Sequence, residues 1–94
     1  MEEQANMINS QQISDAIYAY AKSREDFTAP YGVLQGEHVN NKGTKYKSVT
    51  FGRARSLDVT VNIYNKNFMI LRCSRLADRV YKNYNDLMIA IKEL

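Results

Sequence analysis

The chain has 94 residues, 45% of them apolar and 24% charged, with 13 Lys+Arg against 10 Asp+Glu and so a net charge of +3. That length suits one domain with a single modest core, and the composition excludes wholesale disorder. No apolar run nears the ~20 residues of a membrane helix. The acidic start Met1-Glu2-Glu3 argues against a signal or transit peptide. The lone Cys73 has no internal disulfide partner, so a reducing, cytoplasmic setting is expected.

The mild net charge hides a segregation. Residues 1–41 hold two basic and six acidic side chains, residues 42–82 ten basic and two acidic, and residues 83–94 one basic and two acidic. Such asymmetry points to an anionic partner, or to neutralisation of one part of the chain by another.

Residues 1–8 read as a polar, fraying tail. Asn9 suits an N-cap and Gln12 completes a capping box, with Ile8 and Ile13 placed as a hydrophobic staple. Ile13, Ala16, Ile17, Tyr20 and Ala21 then share one helical face, which predicts a helix from Ser10 to about Arg24. Asp15, Tyr18, Lys22 and Glu25 fall on its solvated side. Thr28-Ala29-Pro30 cannot continue the helix. Tyr31 to Leu34 suits a short edge strand, and Gly36 and Asn40 to Gly43 suit turns.

Lys45 to Phe51 alternates, with Val49 and Phe51 on one side and Tyr46, Ser48 and Thr50 on the other, which predicts a strand. Gly52 to Ser56 is a loop or a strand extension with a bulge at the glycine. Leu57, Val59, Val61 and Ile63 alternate strictly with Asp58, Thr60, Asn62 and Tyr64, the clearest strand pattern in the chain. Asn65-Lys66-Asn67 suits a tight turn, because Asn tolerates positive φ and can hydrogen-bond its own backbone. Phe68 to Leu71 is apolar throughout, which fits burial on both faces or an apolar patch exposed for a partner.

After Ser74, a turn at Leu76-Ala77-Asp78 and a short strand Arg79–Lys82 are expected. Asn83 then caps a second helix running from Tyr84 to the end, with Asp86 at its positive pole and Tyr84, Leu87, Met88, Ile91 and Leu94 on one face. The expected fold class is α+β: an N-terminal helix, a three- to four-stranded antiparallel meander and a C-terminal helix, both helices on one face of the sheet. This element order is similar to that of the double-stranded-RNA-binding domain. That family carries a lysine cluster at the start of its second helix, where this chain has Asn83-Tyr84-Asn85-Asp86, so the chain is assigned to no family.

Catalytic and metal chemistry find little support. One histidine, His38, and one distant Cys73 do not make a metal-ligand set. Cys73 lies in an apolar strand, where a free Cys behaves as a small hydrophobe. The four glycines are dispersed and form no phosphate loop. No enzyme activity, cofactor, metal or membrane surface is expected.

The basic and aromatic residues carry the functional signal. Arg53 and Arg55 suit a phosphate clamp, since guanidinium forks match phosphate oxygens. Lys45, Lys47, Lys66, Arg72, Arg75, Arg79 and Lys82 would extend it, and Tyr46 and Tyr64 would stack on bases. The first expectation is therefore a module binding DNA or RNA through a basic sheet face and the Gly52–Ser56 segment. The second is a protein-interaction module, an inhibitor or adaptor that docks through the Leu57–Ser74 hairpin, as a homodimer or on another protein.

Overall fold

The computed structural model describes residues 9–27, 32–53 and 55–94. In chain order they form α1 (Ser10–Ser23), β1 (Leu34–Val39), β2 (Lys45–Arg53), β3 (Leu57–Asn65), β4 (Phe68–Cys73), β5 (Arg79–Tyr81) and α2 (Tyr84–Lys92). The strands follow one another across a single antiparallel sheet, β1-β2-β3-β4-β5. The architecture is the expected α+β meander with five strands rather than three or four.

Strand alternation sorts the sheet into two faces. Val49, Phe51, Val59, Val61, Ile63, Met69 and Leu71 are all buried, and the register sets Val49 opposite Val61 and Val61 opposite Leu71. Ile13, Ile17 and Ala21 of α1 and Leu87, Met88, Ala90 and Ile91 of α2 complete the same core, with Phe27 and Phe51 stacked at 4.8 Å. Tyr20 and Tyr84 pack at its margin. Both helices thus cover one face, and the other carries the even-numbered residues of β1 to β4. Among the described residues, every buried side-chain N or O atom has a hydrogen-bond partner.

Local chemistry explains most of the boundaries. Asn9 accepts from the Gln12 amide while Gln12 accepts from the Asn9 amide, both at 2.9 Å, so the capping box forms. Asn83 accepts from the Asp86 amide at 2.8 Å and starts α2. Asn65 Oδ1 accepts from the Asn67 amide at 2.8 Å and closes the β3–β4 turn.

Three local expectations are corrected. The edge strand lies at Leu34–Val39, not Tyr31–Leu34, and Gly36 sits inside it rather than in a turn. Asn40 explains this: its side chain accepts from the Lys42 and Thr44 amides and closes the following turn, so the strand before it runs six residues. The second strand continues through Gly52 to Arg53 in unbroken register with Leu57 and Asp58, without a bulge at the glycine. Of the two expectations for Phe68 to Leu71, burial on both faces is the one corrected: Met69 and Leu71 are buried, while Ile70 is half-buried and Phe68 exposed. Residues 1–8, 28–31 and 54, which include Ile8 of the expected staple and Pro30, lie outside the described residues.

Candidate nucleic-acid interface

The meander places successive turns at opposite ends of the sheet. The β2–β3 turn and the β4–β5 turn share one end, tied together where the Ser74 amide donates to the Asp58 carbonyl and the Asp58 amide to Ser74 Oγ, at 2.9 and 3.2 Å. Arg55 stands in the first of these turns and Arg75 in the second. Both are exposed, and both have a left-handed backbone, with φ of +66° and +70°. Neither has a hydrogen-bond or ion-pair partner among the described residues.

The other expected cations are distributed differently. Arg53 lies on the helix-covered side, where its guanidinium donates to Asp26 Oδ2 at 3.3 Å and to the Leu94 main-chain oxygen at 3.4 Å. Arg24 grips the same carboxylate with two prongs at 2.8 and 2.7 Å and lies 4.1 Å over the Phe27 ring. Asp26 is consequently held down, to a pKa of about 2, chiefly by the Arg24 hydrogen bonds. Of the expected pair, Arg53 is thus engaged by Asp26 and Leu94, and Arg55 is exposed in the turn.

Lys47 also lies on the helix side, paired with Glu37, whose carboxyl it holds below the usual range. Lys45 is exposed at the far end of β2. Arg79 lies 5.7 Å over the Tyr81 ring. Arg72 stands on the open face and pairs with Asp78 at 3.2 Å, both half exposed. Cys73 is half-buried and its thiol is pushed up by burial, so it has no thiolate character of the kind a nucleophile needs. Among the described residues no group of three His, Cys, Asp or Glu could hold a metal ion.

Tyr46 and Tyr64 do share the open face, in a row of four rings that runs His38, Tyr46, Tyr64, Phe68. The centroids are 5.1, 4.8 and 5.3 Å apart. These distances match the ~4.8 Å between neighbouring strands. Rings lying flat and edge to edge would not come so close, so the four stand on the sheet side by side. The two tyrosines therefore have ring neighbours on both sides, and only His38 and Phe68 end the row. His38 is fixed by a 2.9 Å hydrogen bond between its Nε2 and Ser48 Oγ. Gly36 leaves room for that bond, since a Cβ there would lie 3.0 Å from Nε2.

Beside the row lies a shallow groove floored by Ser48, Thr50, Thr60 and Asn62 and bounded by Leu34 and Arg72. The face as a whole holds few charges: Asp58 and Arg72 on its strands, in a chain with 23 charged side chains. His38 was not among the expected site residues, and Phe68 entered only as part of the hairpin expected to dock a protein. Their parity is readable only once β1 is placed at Leu34–Val39 and β4 begins at Phe68. The left-handed backbone of Arg55 and Arg75 left no trace in residue type, since Gly or Asn usually marks such positions.

The chain matches no family model, no curated protein and no solved structure.

Proposed function

We propose that the protein is a nucleic-acid-binding module without enzymatic activity, whose phosphate contacts come from the arginine-bearing turns at one end of the sheet. The observation that carries this reading is the state of Arg55 and Arg75. A side-chain-bearing residue in the left-handed region costs ~1–2 kcal/mol relative to glycine. Both turns hold that cost with a long cation that has no hydrogen-bond or ion-pair partner among the described residues. Strain retained without a local gain is a mark of function. The two turns are separated by two strand spacings, ~10 Å. Arg72 on the adjoining face supplies a third guanidinium, and the exposed outer side of Phe68 suits stacking on a base.

The test exploits the strain. Arg55→Gly with Arg75→Gly relieves the left-handed backbone, so the melting temperature should hold or rise. Binding to labelled single- and double-stranded DNA and RNA, followed by anisotropy at several salt concentrations, should weaken. The slope of log affinity against log salt should fall by about two, one per lost phosphate contact. Wild-type protein that binds neither DNA nor RNA at low salt overturns the reading. An unchanged slope in the double variant removes these two residues from the interface.

A second reading, docking of a protein on the open sheet face, is favoured by one observation. That face is nearly uncharged and rich in Tyr, Thr, Ser and Asn, with apolar Leu34 and Val80 about half exposed. Such a mixture suits a flat, uncharged protein surface better than a polyphosphate. Under this reading Thr60→Arg abolishes partner binding, while the double glycine variant leaves it intact.

A further inference from the structure

The two edges of the sheet are unlike. β5 is three residues long and is followed at once by the turn into α2. β1 is six residues long, pairs with β2 along its whole length in continuous register, and has no proline and no bulge. Among the described residues no segment pairs with its outer side. Five of its six residues are exposed. Proteins ordinarily blunt such an edge with charge, proline, a bulge or a covering segment, because its free amides and carbonyls recruit another strand. The single charge of β1, Glu37, is engaged by Lys47 of the neighbouring strand.

We infer that β1 is the dimerisation edge of this protein, pairing antiparallel with β1 of a second copy about a two-fold axis at Gly36. The occupant follows from the residues that meet. In the register centred on Gly36, Leu34 stands opposite His38, Gln35 opposite Glu37, and Gly36 opposite itself. Residues directly opposite in an antiparallel pair share a face. Leu34 thus meets the outer side of the terminal imidazole of the ring row on the open face. The Gln35 amide meets a carboxylate on the helix side. No like charges meet, and the glycines crowd nothing at the axis.

Shifting the centre to Glu37 would set that carboxylate against itself. Among the described residues the pairing joins two sheets into one of ten strands, bounded by the two short β5 strands, so association closes at the dimer. The α1 helix contacts β2 and β3 more than β1, so the two copies of it sit back from the axis. This interface is separate from the arginine-bearing turns and meets the open face only at its rim, at Leu34 and His38. It also moves self-association from the β3–β4 hairpin, whose strands are each paired on both sides, to the sheet edge.

The experiment is sedimentation equilibrium of the wild type and of Gln35→Glu and Gln35→Lys. Gln35 donates to Ser14 and Asp15, at 2.9 and 3.0 Å; Gln35→Lys keeps a donor toward both while Gln35→Glu sets a second carboxylate beside Asp15, so the folding of each variant is checked by its thermal transition before association is compared. The wild type should dimerise. Gln35→Glu places two pairs of facing carboxylates across the axis and should weaken association about tenfold. Gln35→Lys places Lys opposite Glu37 and should preserve it. Should Gln35→Glu fold poorly beside Asp15, a register test replaces it. Leu34→Cys and His38→Cys proteins are mixed and treated with a short bifunctional thiol reagent. The mixture should give more cross-linked dimer than either protein alone. A wild type monomeric across the concentration series overturns the inference. So do equal effects of Gln35→Glu and Gln35→Lys, or a mixture that cross-links no better than its components.

Discussion

Asp26 receives hydrogen bonds from two arginines, Arg24 and Arg53, and its carboxyl titrates near 2. The sign follows from the lowered value. The interaction is fully present above the ordinary carboxylate range and is lost as pH falls through about 2. A carbon-detected NMR titration should therefore find Asp26 still ionised at pH 3, and Arg24→Gln should return its midpoint toward the ordinary range. Arg24 is only 26% exposed, stacks on Phe27 and donates to the Tyr20 hydroxyl, so that variant should also lose a modest amount of stability through lost packing. Gly52 answers to sterics instead. A Cβ there would lie 2.2 Å from the Leu57 carbonyl oxygen, a backbone atom held in the β2–β3 register. Gly52→Ala should cost about 1–3 kcal/mol in denaturant unfolding, with Arg53 and Leu57 displaced.

At the scale of elements, the boundaries with side-chain caps were legible in the sequence. Asn9 with Gln12, Asn65 with Asn67 and Asn83 with Asp86 each carry a short-range signal, and each forms the bond expected of it. Asn83→Ala removes the acceptor for the Asp86 amide and should cost about 1 kcal/mol, read as a lowered urea midpoint with fraying of Tyr84 and Asn85. What stayed hidden was β1. Leu34-Gln35-Gly36-Glu37-His38-Val39 lacks apolar alternation because it is an edge strand beside the rim of the core, exposed on both faces. Its pairing with β2 decides its conformation, and pairing is not written in local periodicity. Gly36 read as a turn for the same reason.

At the scale of the whole molecule, strand alternation made the core legible before any coordinates, and the candidate site much less so. Parity correctly separated Val49 and Phe51 from Tyr46, Ser48 and Thr50, and Val59, Val61 and Ile63 from Thr60, Asn62 and Tyr64. Composition could not say which cations the acidic residues engage. Asp26 takes Arg53, Glu37 takes Lys47 and Asp78 takes Arg72, across 27, 10 and 6 residues of chain respectively. The segregated charge of the sequence is thus partly neutralised in space, and Arg55 and Arg75 are what remains at the turn end. Val61 is fully buried at the centre of the sheet, so Val61→Asp should cost more than about 4 kcal/mol and abolish the cooperative thermal transition.

The sheet has one face beneath the helices and the other open, and solvent paramagnetic relaxation measures that division directly. With a soluble gadolinium probe, side-chain signals along β3 should alternate. Thr60 and the Asn62 amide should broaden strongly, while the methyls of Val59, Val61 and Ile63 stay sharp. Thr50 should follow Thr60, and Val49 should follow Val61. Uniform protection of both sets in a dilute monomeric sample, or broadening of Val59 and Val61 with protection of Thr60, would contradict the account.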